Sequence, residues 1–594
     1  MAAPAPDRHN PFSASKAWLR ALERTAQIER EPQRTLPVVI GELATRFGAA
    51  PALLSDRGNL SFDALAGRVN AIARWARARG LAGQTTCLLM NNQPDYLAIW
   101  LGITRIGGIV ALLNTNLRGA ALAHCIGIVE SQHIIVGMDL QDVLSEALAE
   151  ARISAAIWVR GGVGAARFED EIKPFSTAPL ASDEQPDVRL SDRALCIYTS
   201  GTTGLPKAAN VSHRRIMAWS SWFAGILDTS SVDRTMNCLP MYHSVGGIVA
   251  IGSVLVGGGS VVLQEKFSVR RFWDDVVRWD CTLFQYIGEL CRYLLNAPQN
   301  ANEHAHNLRL AFGNGLRADV WRAFQERFRI PHIIEFYAAS EGTFSLINVE
   351  GEPGAIGRVP PFLAHRFPSA LVKYDAARGT PVRDARGFCI ACARGEVGEA
   401  IGKIAAGGAA GAPFEGYTSA KDSEAKVLRD VFAPGDAWFR TGDLMRQDDR
   451  GFFYFVDRIG DTFRWKGENV STFEVADVLA ACPGIAEASA YGVQIPGAEG
   501  RAGMATLVTG ADFDFKLLHE YVAAHLPAYA RPLFLRLSRD IAATETFKQK
   551  KVQLAQEGFD PDKIADALYF DNGHAYVPLD ATLFAQIEAG EVRL

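Results

Sequence analysis

The stretch YTSGTTGLPK, Tyr198 to Lys207, decides how this chain is read. It follows the apolar run Ala194 to Ile197 and is followed by AANVSH, which reads as a second strand. Between Thr199 and Gly204, the hydroxyl side chains of Thr199, Ser200, Thr202 and Thr203 are interspersed with Gly201 and Gly204. A loop of that composition presents hydroxyl donors and accessible backbone N–H groups, the chemistry that wraps a polyphosphate. It is not a Walker loop, which needs glycine, four residues and then Gly-Lys-Ser/Thr; here Leu205-Pro206 separates Gly204 from Lys207. A plain Ser/Thr/Gly surface turn would account for a shorter match, but a ten-residue string after a buried strand favours phosphate contact.

Around this loop the chain alternates short apolar runs with helical patterns. CLLM, Asp95 to Arg105, IVALL, HIIVG, Val143 to Ala151 and AAIWV follow one another, which predicts an α/β architecture with parallel strands. Val245 to Leu263 is apolar and uncharged, yet six of its residues are glycine. The triplet Gly257-Gly258-Gly259 reads as a turn between a short helix and the strand Ser260 to Leu263, so a buried core element is expected rather than a membrane span. The apolar run Tyr96 to Leu113 carries Arg105 and is read as core for the same reason. Ser176 to Pro186 and the Gly/Ala-rich stretch Ala405 to Pro413 are linker candidates. A composition change after Phe455 predicts a large N-terminal domain over 1–456, with a helical extension at about 1–35, and a small mobile α+β domain over 457–594.

With 594 residues and 48% hydrophobic content, the chain can bury a large core, which excludes stapled and collagenous classes. Its 61 basic and 66 acidic side chains leave a net charge of −5 without long runs of one sign, so no nucleic-acid footprint is expected. Nine cysteines scattered behind an N-terminus without a signal-peptide pattern suit reduced thiols in the cytoplasm. Cys389-x-x-Cys392 lacks a second pair at ligand spacing, and FCIAC reads as strand rather than as a zinc or redox site.

Four further strings stand in order along the chain: PMYHSVGG (Pro240 to Gly247), YAASEGT (Tyr337 to Thr343), WFRTGDL (Trp438 to Leu444) and DRIGDTFRWKGENVSTFEV (Asp457 to Val475). Together with the phosphate loop they resemble the adenylate-forming (AMP-binding) superfamily. FGNGLR, RWKGENVST, TFKQKKVQL and the tail ALYF to YVPLD are similar to its fatty acid transport protein and very-long-chain acyl-CoA synthetase branch. The resemblance implies ATP, Mg²⁺ and coenzyme A, and a long-chain or very-long-chain fatty acid as the acyl substrate.

It also implies roles for single residues. Thr199 to Gly204 and Lys207 would meet the phosphates, and Glu341, with Thr202, would hold Mg²⁺. Gly313, Asn314, Gly315 and Tyr337 would surround the adenine, and Ser340 would also belong to the ATP site. Asp443 would accept from both ribose hydroxyls, since a carboxylate has two acceptor oxygens, with Arg458 beside it. Lys548 would bridge the carboxylate and the α-phosphate, although Phe547 stands where the superfamily usually has glycine, and Lys550 and Lys551 are competing registers. The alternative for those two is a solvated basic helix face. His243 would lie near the carboxylate, with a structural histidine as the competing reading. Lys466, Gly467 and Glu468 would line the coenzyme A path, and Gly460 would be the hinge.

Phe12 to Arg30 has helical spacing, with Trp18, Leu19, Leu22 and Ala26 on one face and Lys16, Arg20 and Arg24 beside it. Packing on the large domain and peripheral attachment to the inner face of the plasma membrane are the two alternatives. A homodimer is equally open. The function expected is an AMP-forming acyl-CoA synthetase coupled to uptake; the alternatives are a fatty-acyl-AMP ligase serving a carrier protein and a fatty acid translocator.

Overall fold

The computed structural model describes residues 13–161, 167–199, 205–375, 378–404, 414–466, 468–496, 500–541 and 551–592. It divides into two compact units, Met1–Pro353 with Ile404–Val427, and Gly354–Lys403 with Leu428–Leu594.

Two sheets carry the first unit. In chain order their strands are β1 (Pro51–Leu54), β2 (Leu60–Ser61), β3 (Thr85–Leu89), β4 (Ile109–Leu112), β5 (His133–Gly137), β6 (Ala156–Arg160) and β7 (Arg193–Thr199). There follow β8 (Lys207–Ser212), β9 (Arg234–Asn237), β10 (Ser260–Leu263), β11 (Leu283–Ile287), β12 (Leu310–Asn314), β13 (Ile333–Ala338) and β14 (Ser345–Asn348). One sheet has the order β6-β5-β3-β4-β7-β8 and the other β14-β13-β12-β11-β9-β10-β1-β2. Pairs inside both sheets are parallel, and only the edge pairs β7–β8, β1–β2 and β13–β14 are antiparallel. Parallel strands are covered on both faces, which is why CLLM and IVALL are continuous apolar runs rather than alternating ones.

The expected alternation of strands and helices is present, including the helices Pro94–Arg105 and Gln141–Ala151. The uncharged stretch from Val245 becomes a π-helical turn (Val245–Val249), a short helix (Ala250–Leu255) and β10, all in the core. Gly258 turns the chain at φ +83°, and a Cβ there would lie 2.2 Å from the Phe47 ring. No helix among the described residues is long and apolar enough to cross a membrane.

Three readings are corrected. Ser176 to Pro186 is no interdomain linker: it runs within the first unit, where Arg74 on the helix Phe62–Ala78 donates to the carbonyls of Ser176, Ala178 and Pro179 and pairs with Glu184. FCIAC forms isolated bridges at Cys389 and Ala391 instead of a strand. The third concerns the N-terminal helix Ala14–Ala26, whose buried face is Ala17, Trp18 and Ala21, with Leu19 52% exposed. It packs on the helix His213–Ile226, where Arg20 donates to the carbonyl of Gly225 in that helix's last turn and Arg24 to that of Thr229 just past it. Ala405 to Pro413 lies outside the described residues.

The second unit contains a sheet built from Ser369–Val372, Val397–Lys403, Ala437–Gln447, Val427–Arg429 and Phe453–Arg458, with Ile401, Val431 and Trp438 in its core. A second five-stranded sheet, Ile485–Val493, Ala502–Thr509, Phe534–Leu537, Ala567–Asp571 and Tyr576–Pro578, carries the helices Thr472–Ala480, Phe515–His525 and Lys551–Glu557. The tail from Ala567 thus supplies two strands of this sheet.

Candidate active site

The quoted loop connects β7 to β8. The antiparallel register runs from Arg193↔Ser212 to Thr199↔Lys207, so Thr199 and Lys207 stand as a pair at the mouth of the loop. Ser200, Gly201, Thr202, Thr203 and Gly204 lie outside the described residues. Lys207 pairs with Asp422 at 2.8 Å. Segment 416–418 bonds along β8 through Asn210 N–H to Gly416 O and Thr418 N–H to Ala208 O, which brings Tyr417 beside the loop mouth.

At the end of β12, Gly313, Asn314 and Gly315 are shaped by close backbone approach. A Cβ on Gly313 would lie 2.2 Å from Tyr286 O, and one on Gly288 would lie 1.8 Å from Gly315 O. Gly315 itself has φ +80°, a conformation that favours glycine. Under this turn sits Glu335 on β13, buried at 2% exposure, which accepts from the Gly315 and Leu316 N–H groups and from the Tyr286 hydroxyl at 2.6 Å. Burial nevertheless outweighs those donors and pushes the Glu335 carboxyl up to about 8. Asn314 Oδ1 is buried without a hydrogen-bond partner among the described residues, an acceptor suited to the amino group of a base.

Beyond β13 the chain turns through Ser340 and Glu341. Glu341 is 6% exposed, and its Oε1 accepts from the Tyr417 hydroxyl at 2.7 Å. Ser340 Oγ lies 3.0 Å from Ser244 Oγ, and Ser340 O accepts from the Arg215 guanidinium. Arg215 is fully enclosed, with Glu415 3.4 Å away. Tyr337 meets Phe344 edge-on at 5.6 Å. His243 is half-buried, its ring 4.6 Å from that of Tyr242, and its carbonyl accepts from Gly247 N–H at the start of the π-helical turn. Gly246 and Gly247 press against backbone, with Cβ positions 2.4 Å from Pro240 O and 2.0 Å from Met241 O. The first unit therefore gathers Thr199, Lys207, Ser340 and Glu341 through the 415–422 segment. Among the described residues no three His, Cys, Asp or Glu side chains gather as a metal cage. A single buried carboxylate suits Mg²⁺, which is usually held by one or two carboxylates together with substrate phosphates.

In the second unit Asp443 and Arg458 are register partners on adjacent strands, their side chains 3.4 Å apart. The Thr441 hydroxyl accepts from Asp443 N–H at 3.0 Å and fixes the Thr-Gly-Asp turn. Gly460 has φ +100° and open space around its Cβ position. Phe463–Trp465 and Glu468–Val470 form a hairpin that exposes Lys466, at φ +50°, and Glu468 at its tip, whereas Gly467 lies outside the described residues. Lys548 and Lys550 also lie outside them.

Lys551 is described, and it corrects the reading of a solvated basic face. Its Nζ donates to Thr472 Oγ1 at 2.6 Å, beside buried Asp457, which accepts from the same hydroxyl and from Arg458 N–H. Desolvation lowers the Lys551 ammonium, opposed by the Asp457 charge, and raises Asp457, opposed by Lys551. Gly460, Asp461, Tyr491, Arg501, Lys551 and Gln556 border a cavity of about 240 Å³.

Arg215, Glu335, Glu415 and Tyr417 are the site residues that sequence reasoning missed. A buried arginine three residues after a strand and a tyrosine just past a Gly/Ala-rich run give no local signal. The only hint is the charge in VSHRR beside the loop.

The AMP-binding enzyme family profile matches residues 41–380, and that of the AMP-binding enzyme C-terminal domain matches 474–548. Long-chain fatty acid transport protein 6 of Mus musculus is 42% identical over 522 residues, 86% of this chain and 83% of the relative. Long-chain fatty acid transport protein 2 of Rattus norvegicus is 39% identical over 94% of this chain and 91% of its own. In fold, the ATP-bound MatB of Rhodopseudomonas palustris superposes with a TM-score of 0.73 at 23% identity, over 87% of this chain and 98% of MatB. A fatty acyl CoA synthetase of Mycobacterium tuberculosis gives 0.63 at 21%, over 88% and 98%. The chain belongs to the AMP-binding enzyme family, within the branch of the long-chain fatty acid transport proteins.

Proposed function

We propose that this protein is a long-chain fatty acyl-CoA synthetase that forms AMP. A fatty acid carboxylate oxygen attacks the α-phosphorus of ATP, pyrophosphate leaves, and an acyl-AMP anhydride results. The thiol of coenzyme A then attacks the acyl carbon, loses its proton, and AMP leaves with the former carboxylate oxygen. The observation that carries this reading is the buried Glu341, fixed by Tyr417 next to the strand pair that opens the phosphate loop. Preorganised charge at a phosphate is what the first step requires. Glu341, with Thr202, would hold Mg²⁺, which neutralises phosphate oxygens when bound.

Thr199 to Gly204 and Lys207 position the phosphates in this scheme. The turn Gly313 to Gly315 lines the base, with Asn314 Oδ1 accepting from it and Tyr337 against the ring. Asp443 and Arg458 hold the ribose, and Lys548 supplies charge at the reacting oxygens. His243 stands at the acyl carboxylate, while Lys466, Gly467 and Glu468 border the pantetheine path. The functional division is taken at 456/457, with Gly460 as its pivot. The substrate class rests on the similarity to long-chain fatty acid transport proteins, as does the coupling of ligation to uptake. Peripheral membrane attachment and homodimerisation belong to the same proposal.

The test is pyrophosphate release and thioester formation by purified protein with ATP, Mg²⁺ and carboxylates from short to very long chains, with and without coenzyme A. Release and thioester formation that peak with long chains are expected. Fatty-acid-dependent pyrophosphate release that never leads to a thioester would refute the synthetase.

A further inference from the structure

Burying a guanidinium costs several kcal/mol unless charge and hydrogen bonds replace its water, so the placement of Arg215 calls for a physical reason. It rises from the first turn of the helix His213–Ile226 and donates to Ser340 O, the carbonyl directly before Glu341. Its acidic neighbours are Glu415 and Glu341. Glu415 in turn caps the start of that helix, accepting from Ser212 N–H and Ser212 Oγ, both at 2.6 Å. Two residues on, the Tyr417 hydroxyl donates to Glu341 Oε1 and accepts from Thr199, the first hydroxyl of the phosphate loop. Among the described residues, none donates a hydrogen bond to Glu341 Oε2. Segment 415–417 thus ties the helix start, the loop mouth and the turn after β13 together, and one carboxylate oxygen stays open.

We propose that Tyr417, braced by the Arg215–Glu415 pair, is a positioning residue: it engages Glu341 Oε1 so that Oε2 faces the cation bound to the nucleotide phosphates. This rests on the reading of Glu341 as the metal-holding carboxylate. The geometry predicts a signature that a merely structural tyrosine would lack. Removing the hydroxyl frees the carboxylate to rotate, so binding of the cation weakens while the fold and the attack on phosphorus are retained once the cation is saturating.

The experiment measures Mn²⁺ binding to the ATP-loaded protein by electron paramagnetic resonance and, separately, the Mg²⁺ concentration for half-maximal pyrophosphate release. Tyr417→Phe is expected to weaken both by about 10-fold, the scale of one hydrogen bond to a charged group, with kcat at saturating Mg²⁺ within about 2-fold. In a Glu341→Gln background the same substitution should add little, because the group it orients is gone. Arg215→Lys keeps the charge and should shift both quantities in the direction of Tyr417→Phe. If Glu341→Gln alters cation binding but Tyr417→Phe does not, the positioning role is wrong while the reading of Glu341 stands. If Glu341→Gln leaves cation binding unchanged, that reading falls and the proposal falls with it. Independent, multiplicative effects of the two substitutions would also overturn it.

Discussion

Replacing Glu335 by glutamine tests whether burial or hydrogen bonding decides the charge beneath the Gly313–Gly315 turn. Three donors, the N–H groups of Gly315 and Leu316 and the Tyr286 hydroxyl, favour the ionised carboxylate, each by about 1.5–3 kcal/mol in a charge-assisted bond. Against them stands the desolvation of a carboxylate enclosed by the sheet, several kcal/mol in effect. The balance leaves the carboxyl protonated up to about pH 8, against 4.5 when unfolded. The site can hold that proton: Tyr286 OH also reaches Ile334 O at 3.1 Å, so it can donate there while accepting from the Glu335 acid. The other titratable group facing it is the Cys291 thiol, which is itself pushed up by burial.

A folded value raised above the unfolded one means that the native state binds the extra proton. This contribution to stability is whole below pH 4.5 and is lost as pH rises through about 8. The slope is at most about 1.4 kcal/mol per pH unit, so from pH 5 to 7.5 the wild type should lose about 3 kcal/mol relative to Glu335→Gln. Glutamine copies the protonated acid, with a donor for Tyr286 and an acceptor for the backbone amides. Urea unfolding at 25 °C across that range, followed by fluorescence, gives the difference directly, because other titrating groups cancel between the two proteins. Parallel curves would show that the carboxylate is already ionised and that the donors outweigh burial.

Lys548→Ala should abolish acyl-AMP formation yet largely spare thioester formation from supplied acyl-AMP, whereas Lys551→Ala should lower unfolding stability by on the order of 1–3 kcal/mol by removing the donor to Thr472 Oγ1 and the positive charge beside buried Asp457. Equal loss of both half-reactions in Lys548→Ala would remove it from the adenylation step. Asp443→Ala should raise the ATP concentration for half-maximal rate at least 10-fold with a smaller change at saturation, since charge-assisted bonds to the ribose are lost; an unchanged ATP requirement refutes the assignment. Gly460→Pro cannot adopt φ +100° and should suppress one half-reaction far more than the other, while Gly467→Leu should hinder thioester formation alone. Parallel losses in pyrophosphate exchange and thioester formation, with folded protein, would rule out the pivot.

The sequence shows most where the chemistry is local. The strands on either side of the Thr199 to Lys207 loop, β7 and β8, are legible from their apolar runs, and β3, β4 and β5 are legible because parallel strands are apolar on both faces. Reach across the fold is what sequence hides. Tyr417 meets Glu341 from 76 positions away, and Arg215 meets Ser340 from 125. Lys551 looks like a member of a basic run until its hydrogen bond to Thr472 is seen, and Ser176 to Pro186 looks like a linker until Arg74 is found gripping it. Glu335 reads as one acid in an apolar strand, and its protonation depends on which walls enclose it.

The contact of the N-terminal helix with Gly225 also limits how this chain can change by inheritance or exchange. A Cβ at Gly225 would lie 2.4 Å from Ala21 Cα, while Arg20 and Arg24 terminate the helix that begins with the Arg215 turn. Gly225 therefore cannot gain a side chain while the backbone of residues 20 and 21 keeps its seat, and a segment grafted from another protein over 14–26 would have to bring the same close backbone approach and donors at 20 and 24. The opening stretch of the chain is in this sense a fitted part of the catalytic unit, to be transplanted with its seat or not at all.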